Sequence, residues 1–467
     1  MRKKIVPRNK AKYEHLASEY LVAGNSKLDQ CSHASHDLYN RALYDLRQGF
    51  FKRNYVKGYC DLDQRFKKRY SARESMLYHS LFYVQSAQQT LKEVNTIWSA
   101  WLKALKAYQA NPGKFAGRPR MPKYLAKGQR HVFFVTNQNA KVKDDYLIIP
   151  KLGFKLKLTP HLKAIQRAAF KPVYGGYKAI VQYKTNRDID YLPDNGRYMG
   201  IDPGVDNAFA CVANIQKAPL LVNGRAIKSV NQYYNKERSR LKALQARYHQ
   251  LESIVDTQQG KKPVYRETKA MRRITAWRNR KIRQFAHKAS KRIVDYALSC
   301  GANTIVIGNN KSWKRSSDMG RKNNQNFIGI PHKVMIDMVQ YKANLAGISV
   351  IRTNESYTSQ TSALDHEKPC WENGNQSRKR QGKTPINRRI HRGLFQSNNG
   401  RLVNADINGA LQIIRKVFPK FSLDEGIEDA VLHPVKWSPL ILSVHLTNEN
   451  SLATGFSWVD AVVKLSS

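Results

Sequence analysis

Two aspartates stand where an apolar run meets a turn or a helix start, a placement that suits chemistry better than solvation. Asp202 lies in GIDPGVDNAFACVAN, at the end of a strand-like apolar run. Asp406 lies in VNADINGALQIIRK, in the first turn of an amphipathic helix with Ala410, Leu411 and Ile414 on its apolar side. A carboxylate among core-forming residues is costly unless it is paired or metal-bound. We interpret both as candidate metal ligands; the alternative for each is an acid that caps a helix or forms a turn.

An alternation of strands and helices is predicted to position these acids. RYMGID, AFACVAN and PLLVNGR read as three consecutive strands from residue 197. Leu241, Leu244, Tyr248 and Leu251 then mark one face of a long helix, and a second helix follows. TIVIG and ISVIRT are short apolar runs of the buried parallel type, separated by the helical segment 331–347. We therefore expect an α/β layer fold in which strands one, four and five are parallel neighbours.

Before this region, the spacing of the apolar residues is first helical and then typical of strands. From about residue 37 to residue 109 the apolar spacing is helical, and Asn111-Pro112-Gly113 ends that region. Between residues 131 and 183, short strands alternate with polar or glycine-containing turns, which predicts a small antiparallel barrel. The fold class expected for the whole chain is thus α/β with an all-α part and a small all-β part.

The charge of the chain points to a polyanionic partner. The 467 residues suggest two to four domains and carry 81 Lys and Arg against 34 Asp and Glu, a net charge of +47. Nucleic acid is the polyanion that neutralises charge spread over most of a chain. Because 41% of the residues are hydrophobic, we expect a folded protein and exclude a basic disordered tail.

Neither a disulfide framework nor a membrane segment is expected. The five cysteines are scattered, odd in number and without a CxxC pair, which favours a reducing compartment. The sequence contains no run of about 18 apolar residues. The N-terminal segment lacks the apolar core of a signal peptide, so a non-exported protein is expected.

Five segments in a fixed order resemble a known nuclease family. GIDPGVDNAFACVAN, IVIGNNKSWK, NNQNFIGIP, NESYTSQTSALD and HRGLFQSNNGRLVNADINGALQIIRK are similar to the RuvC domain of transposon-encoded TnpB proteins, relatives of the type V CRISPR effectors. The resemblance covers residues 197 to 418. It implies an RNase H-like RuvC nuclease domain, with a helical recognition domain inserted into a wedge β-barrel.

The resemblance also implies domain boundaries. The wedge barrel would begin in residues 1–12 and continue in 113–195, with the recognition domain in 13–112. The nuclease domain would occupy residues 196–424 and include a basic helical hairpin (226–300) and a degenerate zinc-ribbon-like insert (356–401). A C-terminal tail would follow in residues 425–467.

The catalytic set implied by the resemblance is Asp202, Glu355 and Asp406, holding two Mg²⁺ or Mn²⁺ ions, for which oxygen ligands are suited. Relatives commonly place the middle glutamate directly after the fourth strand, where this chain has Gly308-Asn309-Asn310 and no carboxylate. The context of Glu355 resembles a TnpB subgroup with a relocated glutamate. Neighbouring strands lie about 4.8 Å apart, so a Glu leaving the fifth strand can reach the same metal. The alternative is a surface Glu in a nuclease-dead protein.

A second departure from the family concerns zinc. Many relatives carry a CxxC...CxxC zinc ribbon between the last two acids, whereas this chain has Cys370, His366 and His391 at irregular spacing. One cysteine and two histidines so spaced make a poor zinc site, so no structural zinc is predicted.

Nucleic-acid contacts are predicted on three basic segments: residues 261–292, the loop after TIVIG, and the insert between Glu355 and Asp406. Residues 261–292 hold 13 Lys and Arg and one acid, a density that repels itself unless phosphates intervene. The loop after TIVIG sets cations beside a tryptophan, which suits single strands, although that ring can equally anchor the loop to the core. The residues predicted to bind nucleic acid are Arg272, Arg273, Arg278, Arg280, Lys281, Lys311, Trp313, Lys314, Arg388, Arg389 and Arg392. For each cation the alternative is a solvated side chain.

The function implied by the resemblance is RNA-guided cleavage of DNA. The expected partners are a guide RNA and double-stranded target DNA with a short flanking motif; no membrane partner is expected, and a monomer is expected in a prokaryotic cytoplasm, at the nucleoid when bound to DNA. Two other classes fit the residues. One is a nuclease-dead, RNA-guided DNA-binding repressor of the same fold, and the other is a guide-free RNase H-like DNA nuclease.

Overall fold

The protein is described here from a computed structural model, and its described residues form two compact units. The helical unit lies within residues 15–184, and the sheet unit comprises residues 11–12 and those within 188–439. The structure describes residues 11–12, 15–52, 58–67, 72–159, 162, 164–184, 188–248, 251–257, 260–265, 267–309, 320–359, 361–365, 367, 369, 371, 389–391 and 393–439.

The helical unit follows a first short strand, β1 (Ala11–Lys12), that belongs to the sheet unit. Its own elements are β2 (His15–Ala23), α1 (Ser26–Phe51), α2 (Tyr59–Lys67), α3 (Ala72–His79), α4 (Val84–Ala110), β3 (Phe133–Thr136), β4 (Lys141–Lys143), β5 (Tyr146–Ile149), β6 (Phe154–Lys157), β7 (Ile165–Val173) and β8 (Gly176–Lys184). Helix α1 begins where the side chain of Asn25 accepts the N–H of Leu28 at 2.8 Å, and α4 ends before Asn111, as predicted.

Two antiparallel sheets complete the helical unit, in the orders β2-β8-β7-β3 and β4-β5-β6. Strand β2 lies in residues that the predicted boundaries gave to the helical domain. The pairing of β2 with β8 over nine residues, His15↔Lys184 to Ala23↔Gly176, explains why β2 is a strand. The closed wedge barrel stays a prediction.

The sheet unit contains the candidate acids. Its further elements are β9 (Asp188–Ile189), β10 (Tyr198–Asp202), β11 (Asn207–Ala213), β12 (Leu220–Asn223), α5 (Arg225–Arg247), β13 (Leu251–Thr257), β14 (Gly260–Tyr265), α6 (Lys269–Ser299), β15 (Thr304–Gly308), α7 (Arg321–Gly329), α8 (His332–Leu345), β16 (Ser349–Thr353), β17 (Arg389–His391), β18 (Leu394–Gln396), β19 (Leu402–Asn404), α9 (Ala405–Val417), α10 (Ile427–Ala430) and β20 (Val435–Trp437). Strands β1 and β9 pair, and β17, β18 and β19 form a small antiparallel sheet.

A six-stranded sheet in the order β16-β15-β10-β11-β12-β20 forms the centre of this unit. Strand β10 pairs in parallel with β15, and β15 with β16, so the predicted parallel neighbours are confirmed. Alternate residues of the strands enter different cores. Met199 and Ile201 pack with α6 and α8, whereas Tyr198 packs with α9. The sheet is therefore covered on both faces, as its apolar strands require.

The predicted basic helical hairpin, residues 226–300, is wrong in its middle. Helix α5 ends at Arg247, and residues 251–257 (β13) pair with residues 260–265 (β14) before α6 begins at Lys269. Leu251, which continues the helical spacing in the sequence, pairs with Tyr265 of β14. The β-branched pair Ile254 and Val255 favours a strand, which the apolar spacing alone did not reveal.

The C-terminal tail contributes to the central sheet, since β20 pairs in parallel with β12. None of the helices within the described residues combines the length and the apolar content needed to cross a bilayer.

Candidate active site

The candidate site lies at the edge where three parallel strands end together. Ile201 is level with Ile307, and Gly308 is level with Thr353, so the carboxyl ends of β10, β15 and β16 coincide. Asp202 is the last residue of β10, and Glu355 follows the end of β16 by two residues. Both carboxylates therefore leave the sheet at the edge where α/β proteins commonly bind ligands.

Helix α9 packs against this edge through glycines. A Cβ on Gly200 in β10 would overlap the carbonyl oxygen of Ala410, so the helix backbone rests directly on the strand. A Cβ on Gly409 would lie 2.8 Å from Oδ2 of Asp202. The Asp202 carboxylate therefore occupies the space beside the helix that a larger residue at 409 would fill.

The three acids follow one face of α9. Asp406, Gly409, Ile413 and Lys416 are spaced three, four and three residues apart, which sets them along one side of a helix. Asp406 lies in the first turn, the Asp202 carboxylate lies at Gly409, and the Glu355 carboxylate lies near Ile413. The three acids predicted as a set thus lie along one side of this helix, and their role as metal ligands stays a prediction.

Asp406 is held by two amides. The N-cap residue Asn404 accepts the N–H groups of Asp406 and Ile407 at 3.0 and 3.4 Å, which starts α9. Asn207, the first residue of β11, donates from Nδ2 to Oδ2 of Asp406 at 2.9 Å. The sequence analysis missed Asn207. Its signal was an amide five residues after Asp202, at the start of the next strand.

Glu355 lies in a tight turn that is tied to α9. The side chain of Asn354 accepts the N–H of Ser356 at 2.8 Å, and the hydroxyl of Thr358 donates to the carbonyl of Glu355 at 2.8 Å. Downstream, Asn408 and Gln412 on α9 donate to the carbonyl of Thr361 at 2.9 and 3.1 Å. These bonds fix the backbone that carries the glutamate against the helix.

The Glu355 carboxyl is desolvated. Burial raises its pKa to about 7, and the positive charge of Lys416 opposes that shift. Burial also lowers the pKa of Lys416, and the charge of Glu355 opposes it. The Lys416 ammonium donates to the carbonyl of Ser356 at 2.9 Å and lies 5.1 Å from the ring centre of Trp371. A nearby cation therefore stabilises the charged form of this buried carboxyl group.

The acids share a face without forming a tight cluster. Within the described parts of the chain, no group of three His, Cys, Asp or Glu side chains is arranged to hold a metal ion. Seven residues separate Asp406 from Ile413, and at about 1.5 Å per residue this spreads the acids over about 10 Å of helix.

Four of the predicted nucleic-acid-binding cations on α6 are either exposed or close to another cation. Arg272 and Arg273 are exposed, and Nε of Arg272 lies 3.7 Å from Oε2 of Glu267. Burial lowers the pKa of Lys281, and the neighbouring charge of Arg280 lowers it further. A phosphate near this pair would relieve the repulsion. Burial also lowers the pKa of Arg280.

Arg278 makes internal bonds. Its Nε donates to Oδ1 of Asn231 at 2.7 Å, its Nη2 donates to the carbonyl of Gly329 at 2.9 Å, and its guanidinium lies 5.3 Å from the ring centre of Tyr234. It therefore ties α6 to α5 and to the end of α7. These bonds leave fewer of its donors for a phosphate.

The remaining predicted contacts fall outside the described residues, namely Lys311, Trp313, Lys314, Arg388 and Arg392. For Arg389 the backbone is described, as the start of β17, and the side chain is not. Cys370 and His366 also lie outside the described residues, so the absence of structural zinc stays a prediction.

Two family models match adjacent parts of the chain. Residues 181–314 match OrfB_IS605, described as a probable transposase, and residues 332–413 match the Cas12f1-like TNB domain. Asp202 lies in the first matched segment, and Glu355 and Asp406 lie in the second. The matches confirm the resemblance inferred from the ordered segments. No curated protein matches the chain significantly.

Similar solved structures include RNA-guided effectors. One is a Cas12f1–sgRNA–target DNA complex, at 15% identity over 86% of this chain and 99% of that one, with a TM-score of 0.33. Another is the mini-RNA-guided endonuclease CRISPR-Cas_phi3, at 10% identity over 86% and 92%, with a TM-score of 0.40. A third is CasPhi-2 bound to crRNA and DNA, at 9% identity over 88% and 92%, with a TM-score of 0.39. These similarities are weak, so the family models carry the assignment.

Proposed function

We propose that this TnpB-type relative is an RNA-guided DNA endonuclease whose nuclease site lies where β10, β15 and β16 end. The observation that carries the proposal is the common face of α9, along which the carboxylates of Asp202, Glu355 and Asp406 are aligned. The two matched family segments contain all three acids. In this proposal the sheet unit is an RNase H-like RuvC domain, and the helical unit provides the recognition helices and a wedge barrel.

The donor set fits divalent metal ions of the hard class. All three candidates offer carboxylate oxygens, which suit Mg²⁺ or Mn²⁺, and burial of Glu355 makes a cationic partner favourable. Asp202, Glu355 and Asp406 would hold two ions. When bound, such ions activate a water and stabilise the departing 3′ oxygen in phosphodiester hydrolysis.

The chain's own residues would position these ligands. Asn404 starts α9 and thereby orients Asp406, and the bonds from Asn408 and Gln412 to Thr361 hold the Glu355 turn against the helix. Gly409 and Gly308 leave the space into which the Asp202 and Glu355 carboxylates extend. Outer contacts of this kind orient ligand side chains in metal sites.

Guide RNA and target DNA are the proposed partners. The net charge of +47 and the exposed Arg272 and Arg273 support binding to phosphate backbones. In a guided enzyme, base pairing selects the sequence and the protein reads a short flanking motif.

The experiment begins with the RNA that copurifies with the protein. That RNA is sequenced, and a duplex matching it, with randomised flanks, is offered with Mg²⁺ or with EDTA. We expect cleavage that needs both the RNA and Mg²⁺ and that is lost in Glu355→Gln. Glu425→Gln, an exposed acid away from the helix face, serves as the matched control and should cut normally.

Each contrary outcome has a distinct meaning. Cleavage that survives Glu355→Gln would refute the ligand assignment. Guided binding without cleavage by the wild type would favour a repressor. Cleavage by protein free of RNA would favour a guide-free nuclease.

A further inference from the structure

The turn between Asp202 and Asn207 joins β10 to β11 and is fixed on three sides. Nε2 of His332, at the start of α8, lies 2.9 Å from the carbonyl oxygen of Gly204. Nζ of Lys228 on α5 donates to Oδ1 of Asp206 at 2.5 Å. The third link is the bond from Asn207 to Asp406 on α9. Three helices therefore hold this turn in place.

Asn207 is consequently a preorganised donor. It opens β11, where its backbone is level with Asn223 of β12, and it is partly buried. The donor and the carboxylate it meets are 199 positions apart in the chain. The bond thus spans two elements that carry different candidate ligands, since Asp202 precedes the turn and Asp406 begins α9.

A fixed hydrogen bond from an amide determines how a carboxylate is oriented toward a metal ion. The amide engages Oδ2 of Asp406 and sets the rotation of the carboxyl group, so that Oδ1 has a defined direction. Ligating carboxylates are generally held by such outer partners, and the loss of one typically costs about 10–100-fold in metal affinity.

We propose that Asn207 is a positioning residue that orients the Asp406 carboxylate for a divalent cation and sets the metal affinity of the site. This inference rests on the proposed function, because it requires Asp406 to be a ligand. Asn207 itself contacts neither the metal nor the DNA in this role. Its effect passes through Asp406.

The variant Asn207→Leu tests the proposal because it keeps the size of the side chain and removes the donor. Its Mn²⁺ requirement is measured in two ways on the full protein with its RNA: as the metal concentration that gives half the maximal rise in melting temperature, and as the concentration that gives half-maximal cleavage. Both should increase about 10–100-fold. The cleavage rate at saturating Mn²⁺ should remain within about threefold of the wild type, a split that a folding defect does not produce.

Two further variants complete the test. Asn207→His places Nδ1 the same number of bonds from Cα as the lost amide nitrogen, so it should recover most of the metal affinity. Asn223→Leu removes the neighbouring amide on β12, whose side chain contacts Ser438 and the N–H of Arg225, and should leave the metal requirement unchanged.

The outcomes separate this inference from the proposed function. If Asn207→Leu binds Mn²⁺ as the wild type does, the positioning role is wrong while the metal site stands. An equal rise in Asn223→Leu would also overturn it. If the wild type itself shows neither a Mn²⁺-dependent melting shift nor cleavage, the proposed function fails first.

Discussion

The carboxylate of Glu355 lies where a side chain on Gly308 would have to be. A Cβ at Gly308 would be 2.7 Å from Oε2 of Glu355 and 2.8 Å from Cδ1 of Ile413. Gly308 ends β15, and its partner Thr353 ends β16. The acid leaving the fifth strand therefore reaches the end of the fourth. The glycine and the glutamate depend on each other, because the space admits one side chain.

Gly308→Ala should strongly reduce cleavage. The added methyl group would displace the Glu355 carboxylate or the side chain of Ile413, and an ångström of misplacement in a catalytic group can cost about 100-fold in rate. Guided DNA binding should be retained, as measured by gel shift beside a cleavage time course. Gly393→Ala is the control, because a Cβ there meets nothing within 4 Å. Equal rates for Gly308→Ala and the wild type would contradict the proposed ligand.

Moving the acid should partly restore what its removal abolishes. Glu355→Ala should be inactive, and Gly308→Glu with Glu355→Ala places a carboxylate on the neighbouring strand beside the vacated space. We expect at least tenfold more cleavage from the double variant than from Glu355→Ala. Recovery would be measured under identical guide and Mg²⁺ concentrations. No recovery, in a double variant that melts like the wild type, would argue that position alone does not define the third acid.

Replacing exposed arginines of α6 should weaken nucleic-acid binding, whereas replacing an internal arginine should reduce stability. Replacing both Arg272 and Arg273 by Gln should weaken nucleic-acid binding and lower the slope of log affinity against log salt by about 0.7 to 0.9 per lost phosphate contact. Arg278→Gln should instead lower the free energy of unfolding by about 2 kcal/mol, since Oδ1 of Asn231 loses its donor and the Gly329 carbonyl keeps only the bond from Nδ2 of Asn231. Salt titrations of binding and urea unfolding distinguish the two. A stable Arg278→Gln with a reduced salt slope would reverse our interpretation.

The buried Lys342 should make stability depend on pH. Its ammonium donates to the His287 carbonyl at 2.7 Å and the Ser290 hydroxyl at 2.8 Å, and burial lowers its pKa to about 7, helped by Lys291 and opposed by Asp295. Between pH 7 and pH 10.5 the unfolded chain binds more protons at this site than the folded chain, so the wild type gains stability as the pH rises.

Lys342→Met removes that dependence and provides the measurement. The stability of the variant relative to the wild type should fall by a few kcal/mol, on the order of 3, between pH 7 and pH 10 in urea unfolding. Lys333→Met, on the exposed side of α8, is the matched control and should show no such change. Parallel pH profiles for Lys342→Met and the wild type would show that this amine is not desolvated.

Removal of the acids should affect stability in opposite directions with and without metal. In EDTA, the triple variant Asp202→Asn, Glu355→Gln, Asp406→Asn should melt higher than the wild type, because the repulsion among carboxylates and the desolvation of Glu355 are relieved. With Mg²⁺ at about 100 times its dissociation constant, the wild type should gain about 2.7 kcal/mol and the variant should gain nothing. Differential scanning calorimetry measures both. A Mg²⁺ gain that the variant shares would place the metal elsewhere.

The parallel strands of the central sheet could be predicted because they are short apolar runs in the sequence. TIVIG is buried along its whole length, as a strand between two helical layers requires, and ISVIRT forms the edge strand beside it, with Val350 buried. Helix α9 was visible from its apolar spacing and from Asp406 in its first turn. Asp202 was visible as an acid that ends an apolar run.

Other features depend on contacts that a linear pattern does not contain. Residues 251–257 are a strand because they pair with residues 260–265, Leu251 with Tyr265, although Leu251 also fits the preceding helical spacing. Strand β2 is a strand because β8 pairs with it from about 160 residues away. Asn207 appeared to be an ordinary strand residue until α9 brought Asp406 to it. In each case the deciding partner is distant in sequence.

The pairing of β20 with β12 limits how far this chain can be shortened. Residues 435–437 lie along the outer side of β12, where their backbone groups occupy hydrogen-bonding positions that would otherwise face outward. Removing them would leave β12 as an exposed edge strand that can pair with strands of other molecules, which promotes aggregation. A minimised version of this protein should therefore keep its chain through Trp437.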